Sequence, residues 1–387
     1  MDNPLVPRLR GFGETIFAPM TALAVQHDAI NLGQGFPDID GPPQVLAAAA
    51  EAIAAGHNQY APGVGIPTLR EAVAEHQREF YNIELDPKAE VIISAGATEG
   101  MTAAILAFCD VGDEVIALEP SYDCYSGAVA IAGGVFKQVR LHEPSYSLDL
   151  DELRAAITPR TRILIVNSPH NPTGHVLSAD ELAGIAALAQ EFDLLVLSDE
   201  VYEHLTFDRP HIPIATLPGM AERTVTISSA GKTFAVTGWK IGWLSGPAEL
   251  LKDVLIAKQN MTFTNGTPLQ FGVAAGLRLP QQWFEDQRRR YQQARDQLIA
   301  GLQAAGMKVH PSEGTFFVIA DISGLGYRDG IDFCERIPGE IGVGAIPSQV
   351  FYTDPETAKD YVRFCYAKRP DVLTEAARRL ATMGDGR

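Results

Sequence analysis

RILIVNSPHNPTGHVLSADELAGIAALAQEFDLLVLSDEVY, residues 162 to 202, is the stretch whose reading decides the fold. It opens with a β-branched apolar run, Arg162 to Asn167, and closes with another, Leu194 to Ser198. Between them, Ala179 to Phe192 carries helical spacing, and Ser178 with Glu181 three residues on forms a capping box at its start. Strand, helix and strand within about 40 residues make a crossover unit, so the two strands run parallel. Neither run alternates apolar with polar, as expected for strands covered on both faces.

The same rhythm extends from Glu90 to about Gly246. Further strands are predicted at Val91 to Ser94, Glu114 to Leu118, Phe136 to Leu141, Thr224 to Ser228 and Ile241 to Ser245, with a helix at Thr98 to Phe108. The fold class is therefore α/β: a mixed, mostly parallel seven-stranded sheet with helices on both faces. After Pro280 the pattern changes to a long polar helix (Gln281 to Ala305), a strand (Gly314 to Asp321), a helix (Asp332 to Ile337), a strand (Tyr361 to Tyr366) and a terminal helix. This reads as a smaller α+β domain. The expected division is an N-terminal segment, 1–45, packing with the small domain; a large α/β domain, 46–280; and the small C-terminal domain, 281–387. No internal repeat or low-complexity segment is present.

A chain of 387 residues exceeds what one ordinary core organises. Its 46% hydrophobic and 20% charged residues are the balance of a folded globular protein. The formal charge of -17 repels phosphate backbones, which excludes nucleic acid as an expected partner. The N-terminus, MDNPLVPRLRGFGETIF, has no apolar run of signal-peptide length, so a cytoplasmic protein with no membrane span is expected. Cys109, Cys124, Cys334 and Cys365 form no CxxC pair and are read as reduced thiols. The pairs His170/His175 and His204/His211 lack partners at metal-ligand spacing, so no metal is expected.

Polar residues gather at the carboxyl ends of the predicted strands, where open α/β sheets bind ligands. Val91 to Ser94 runs into Ala95-Gly96-Ala97-Thr98 and a helix, whose free N–H groups suit a phosphate, although most such turns bind nothing. The loop Asn167-Ser168-Pro169-His170-Asn171-Pro172-Thr173-Gly174 presents the Asn171 amide. Leu194 to Ser198 delivers Asp199, with Tyr202 close by; strand-end acids are also common as plain helix caps. Ser228 to Phe234 places Lys232 among small and apolar neighbours, where desolvation lowers an amine's pKa and makes it nucleophilic. Ser229 to Lys232 fits an S-x-x-K pattern, but no S-D-N or K-T-G follows, which rules out a penicillin-recognising enzyme. No P-loop is present. One lysine, one acid, one phenol, one amide, a phosphate-sized turn and a second cation, Lys240, form the set that a pyridoxal phosphate site needs.

INLGQGFPD, NQYAPGVG, SAGATEG, EPSYDCY, NSPHNPTG, SDEVYE, SSAGKTF, TGWKIGW and RFCYAK, in that order, resemble the successive blocks of class I/II pyridoxal-phosphate-dependent aminotransferases of fold type I, most of all the kynurenine, glutamine and methionine aminotransferase group. The resemblance implies pyridoxal 5'-phosphate as cofactor and Lys232 as Schiff-base lysine and proton shuttle. It further implies Asp199 at the pyridine nitrogen, Asn171 and Tyr202 at the ring hydroxyl, and Tyr122 on the ring face. Ser229, Lys240 and the Ala97-Thr98 turn would hold the phosphate, with Tyr60 reaching in from the other subunit of a homodimer with shared active sites. Many relatives carry Arg where Lys240 stands, which removes a bidentate fork. Arg363 would clamp the substrate α-carboxylate, helped by Gly35 and Asn171. Transfer from an L-amino acid, aromatic or sulfur-containing, to a 2-oxo acid is the implied reaction; Phe12, Phe36 and Phe263 are candidate side-chain contacts. Two relatives of that chemistry compete: N-succinyldiaminopimelate transamination and cysteine-conjugate β-elimination. A non-enzymatic regulator on the same fold lacks the DNA-binding segment it would need.

Overall fold

The predicted β-branched runs become strands of one sheet in a computed structural model that describes residues 4–13 and 15–383; residues 1–3, 14 and 384–387, within the expected N-terminal and small-domain segments, lie outside the described residues. Across this sheet the order is Val91–Ser94, Gly242–Ser245, Thr224–Ser229, Leu195–Asp199, Thr161–Asn167, Glu114–Glu119, Val135–His142 and Ser147–Leu148. The strands from Thr224–Ser229 through Val135–His142 are parallel. Gly242–Ser245 runs antiparallel to both of its neighbours. The two-residue strand Ser147–Leu148, absent from the sequence reading, adds an antiparallel eighth at the edge. It is too short to carry a period-2 signal.

Register fixes the functional edge. Asn167 lies opposite Asp199, and Ser229 opposite Gly242, so the strand ends that bear polar groups finish side by side. Strand Thr161–Asn167 is buried at every residue but Arg162, and Leu195–Asp199 at every residue but Leu195, as two-sided cover by helices requires. The capping box forms as read: Ser178 Oγ accepts from Glu181 N (3.2 Å), and Glu181 Oε2 accepts from Ser178 N (2.8 Å). Glu181 Oε1 also accepts from Leu148 N (3.0 Å), so the same carboxylate ties the helix to the edge strand.

A second sheet is antiparallel, in the order Lys308–Val309, Phe317–Asp321, Tyr361–Cys365, Ile346–Pro347. Arg363 sits on its inner strand, in register with Ile319 and Ile346. The helices Gln281–Ala304, Gly330–Ile341 and Pro370–Ala381 accompany it. The N-terminal strand Ile30–Asn31 pairs in parallel with Val343–Gly344, so the chain's beginning is stitched to its last third. Among the described residues no helix is long and apolar enough to cross a membrane.

Where helix Pro67–Tyr81 meets the turn after Asp199, a polar cluster is sealed among aromatic rings. His76 Nε2 and His204 Nε2 stand 2.7 Å apart, and both rings pack on Phe80 and Phe284. Among the described residues His76, Glu203 and His204 are the group whose ligand atoms approach within 4.8 Å. Two nitrogens on one tetrahedral zinc stand roughly 3.3 Å apart, so the 2.7 Å separation is that of a hydrogen bond. A contact across 128 residues is invisible to motif spacing, on which the expectation of no metal rested.

Burial pushes the Glu203 carboxyl up to about 7, against the opposing hydrogen bond from Ser228 Oγ (2.7 Å). A carboxyl whose folded pKa lies above its unfolded value stabilises the fold fully below the unfolded pKa, near 4.5, and loses that contribution as pH rises through about 7. Glu203→Gln should therefore abolish a fall in stability totalling on the order of 3 kcal/mol between about pH 4.5 and pH 7. Chemical denaturation of both proteins across that range checks this; parallel pH profiles would show that Glu203 is not the titrating group.

Candidate active site

The residues that the resemblance assigns to cofactor and α-carboxylate, Tyr60 excepted, line one cavity of about 310 Å3 between the two sheets. Gly35, Ala97, Thr98, Tyr122, Asn171, Asp199, Tyr202, Ser229, Lys232, Lys240 and Arg363 all face it. Tyr60 is 84% exposed and lies edge-on to Phe263 at 5.8 Å. Of the three candidate phenylalanines, Phe36 lines the cavity; Phe12 and Phe263 are exposed and do not.

One end of the cavity brings a helix start and a cation together. Helix Gly96–Phe108 begins there without a side-chain cap, leaving its first N–H groups free. Gly96 has φ +75°, and a Cβ on it would lie 3.1 Å from Lys240 Nζ, so the ammonium rests against the helix start. Lys240 itself takes a left-handed backbone (φ 53°), uncommon for a residue with a side chain. Asn265 Nδ2 holds it there by donating to Lys240 O and Ser94 O, both at 2.9 Å.

Lys232 sits in the short helix Ala230–Thr233, just past the end of its strand. Its Nζ donates to Gly35 O (3.2 Å) and lies 5.7 and 5.3 Å from the ring centroids of Tyr202 and Phe316. Desolvation by this enclosure lowers the amine to about 8. Asp199 is buried, and burial raises its pKa; Tyr125 opposes this by donating its OH to Oδ2 (2.6 Å), and Val201 N reaches Oδ1 (3.3 Å). Tyr125 escaped the sequence reading. Its signal was present in EPSYDCY, one helical turn after Tyr122, but the acid it serves lies 74 residues away.

At the far end Arg363 is 2% exposed and stacks on Phe317, its guanidinium carbon 4.0 Å from the ring centroid. Nη1 donates to Asn171 Oδ1 (3.1 Å), Nη2 to Gly33 O (3.4 Å), and Nε has no partner. Burial lowers its pKa to about 10, which still leaves it cationic at neutral pH. Among the described residues no carboxylate lies within ion-pair distance of it. A Cβ at Gly35 would come within 2.5 Å of the Phe317 ring, so only glycine lets that segment close over the arginine. Tyr202 OH is a second buried polar atom without a partner. All four cysteines are free; Cys124, half-buried, also faces the cavity.

Residues 27–380 match the family model for aminotransferase class I and II. A probable N-succinyldiaminopimelate aminotransferase of Mycobacterium tuberculosis is 49% identical, covering 98% of each chain. A methionine aminotransferase of Escherichia coli is 40% identical over 98% of this chain and 99% of its own. The solved structure of a Mycobacterium tuberculosis N-succinyldiaminopimelate aminotransferase superposes with a TM-score of 0.95 at 50% identity, covering 98% of this chain and 100% of the other. The chain belongs to the class I and II aminotransferases.

In this aminotransferase the lowered Lys232 pKa has a measurable consequence that needs no substrate. The neutral amine is the nucleophile, and its fraction grows as pH rises through about 8. On cofactor-free protein, Lys232 should be acylated by an amine-selective reagent with a midpoint near pH 8, well below the ordinary lysine value of 10.5. Peptide mapping of the label across pH checks this; a midpoint at the ordinary lysine value would show that the site does not tune the amine.

Proposed function

We propose that this enzyme moves the amino group of an L-amino acid with an aromatic or sulfur-containing side chain to a 2-oxo acid, with pyridoxal 5'-phosphate held at Lys232. The observation that carries the reading is Arg363: a buried guanidinium without an acidic partner, facing the same cavity as a lysine whose amine is drawn down to about 8. An uncompensated buried charge is costly, and a substrate α-carboxylate offers two oxygens that match its fork.

The residues present fit the cofactor. The uncapped helix start at Ala97 and Thr98, with Ser229 and Lys240, would take its phosphate; Asp199 would face the ring nitrogen, and Tyr122 the ring plane. The unpartnered Tyr202 OH and the Asn171 amide would serve the ring hydroxyl. When bound, pyridoxal phosphate supplies an electron sink for the pair left when the substrate's Cα–H bond breaks. Arg363, Asn171 and Gly35 would bind the α-carboxylate and so orient that bond. Lys232, freed and neutral, would take the Cα proton and carry it across the site.

The side-chain preference follows from where the charges lie. Among the described lining residues the cations are Lys232, Lys240 and Arg363, and each already has a role; Phe17, Phe36, Met101 and Ile241 form apolar wall. A second reading, N-succinyldiaminopimelate as substrate, has the 49% identical mycobacterial relative in its favour. Its distal carboxylates would need cations beyond this lining. Comparing kcat/KM for methionine, kynurenine and N-succinyl-LL-diaminopimelate with one 2-oxo acid acceptor decides between the two, and ammonia release without acceptor reports any β-elimination.

Arg363→Lys keeps the charge and removes the fork. It should lower kcat/KM about a hundredfold, about 2.7 kcal/mol, equally for all donors, with cofactor affinity unchanged. Loss of the cofactor instead would move Arg363 to the phosphate end.

We further propose a cytoplasmic homodimer, in keeping with four free cysteines and with the exposed Tyr60–Phe263 pair beside the site. Mixing Tyr60→Phe with Lys232→Ala subunits should restore activity, since each hybrid has one site with both residues intact. No recovery in hybrids isolated as dimers would place Tyr60 outside the shared site.

A further inference from the structure

Outside the active site, the helices Gln281–Ala304 and Pro370–Ala381 enclose a cavity of about 130 Å3. Its polar lining joins two cations, the exposed Arg290 and the half-buried Lys368, to the neutral amides of Gln293 and Gln297, with no acid among them, in a chain with a net charge of -17. Arg290 and Lys368 both face it, and among the described residues neither has an ion-pair partner. Arg290 rests over the Tyr291 ring at 5.8 Å; Lys368 Nζ donates only to a carbonyl, Phe36 O, at 3.1 Å. Tyr291 also lines the cavity; it is 3% exposed, and its buried hydroxyl has no hydrogen-bond partner. Pro370, the first residue of its helix, completes this wall, and that helix has no side-chain cap. Of the nearby acids, Asp371 pairs with Arg369 at 3.5 Å and Asp38 accepts from Arg369 N at 2.7 Å, while Asp40 shares the adjoining cavity with Arg290 without an ion pair to it.

We infer that this cavity is a second binding site, for a small oxyanion such as phosphate or a short carboxylate. The chemistry is that of two unpaired cations, Arg290 and Lys368, facing one space that the amides of Gln293 and Gln297 and the Tyr291 side chain also line. Size limits the ligand: at about 30 Å3 per water-sized unit, the volume takes four or five heavy atoms, enough for a phosphate or acetate and too small for a nucleotide. The site is also wired to the catalytic cavity. Lys368 pins the carbonyl of Phe36, whose ring lies 5.0 Å from the ammonium and lines the substrate pocket, while Gln287, one turn before Arg290, donates to Thr233 O beside Lys232. An anion that draws Lys368 toward Arg290 competes with the bond that holds Phe36.

The test is isothermal titration of the holoenzyme with inorganic phosphate and, separately, with sodium acetate, at constant ionic strength against a chloride control. Loaded protein keeps the cofactor's own phosphate end filled. One phosphate per chain is expected for the wild type; acetate can also enter the Arg363 end, so its Arg290-dependent component is the one that reports this cavity. Arg290→Gln should weaken binding at least tenfold and Tyr291→Phe several-fold, with circular dichroism showing both folded. Binding of phosphate alone identifies a phosphate site, and binding of acetate alone a carboxylate site; either supports the inference. Equal affinity in wild type and Arg290→Gln, or no heat above the chloride control, overturns it. Because the readout is binding and not turnover, this result stands or falls separately from the transamination reading.

Discussion

Lys232, Arg363 and Asp199 are all withdrawn from water around one cavity, and the cost of that desolvation shapes what surrounds them. Burial first of all drives the lysine down to about 8, with Arg363 and Lys240 adding to it, lowers the arginine to about 10, and raises the aspartate. All three shifts act against charge, so each group persists only through its neighbours. Tyr125 and Val201 N supply hydrogen bonds to Asp199; the Gly35 carbonyl and two aromatic faces receive the lysine; Asn171, Gly33 and the Phe317 face receive the guanidinium. None of those neighbours neutralises Arg363, and the site is left short of an anion.

Such a set cannot be made from one element. The parallel sheet brings Asn167, Asp199 and Ser229 to a common edge because its strands share direction and register. Arg363 comes from the antiparallel sheet, and the Arg363–Asn171 hydrogen bond spans 192 residues to join the two. Where backbones must approach closely, glycine or strain appears: Gly35 against Phe317, Gly96 against Lys240, and Lys240 itself in a left-handed conformation held by Asn265. Strain held by surrounding hydrogen bonds is common at functional sites, and here it aims the cation at a helix start.

This division explains what could be read from the chain. Strands whose cores are continuous apolar runs, such as Thr161–Asn167, announce themselves locally, and so do the polar residues that end them. The capping box at Ser178 is a four-residue signal and was legible for the same reason. Pairings between distant segments were not: Ile30–Asn31 with Val343–Gly344, Tyr125 with Asp199, and His76 with His204 each depend on the closed tertiary fold. Arg363 falls between these cases. Nothing in the local pattern of YVRFC distinguishes it from a surface residue of an antiparallel strand, and only resemblance to a family assigned it to the substrate. Its exposure of only 2% and the missing partner at Nε are properties of the fold.

The overall charge sharpens the same point. At -17 the protein repels the anionic amino and oxo acids of its reaction at long range, yet that repulsion is screened beyond roughly 8 Å at physiological ionic strength. Inside the cavity, walls of low polarizability weaken the screening and let three cations act at contact distance. On the proposed reading, selection for carboxylate and phosphate is thus local, set by where Arg363 and Lys240 stand; among the described residues neither has an ion-pair partner, although Asp123 lies near enough to act on Arg363. The one buried carboxylate of the site, Asp199, is tied by Tyr125 at the sheet edge, where it can serve a cation without cancelling the pull on the substrate. Segregating that acid from the two anion-binding ends is what a mixed sheet with a separate antiparallel partner accomplishes. A single sheet edge would have crowded both signs of charge together.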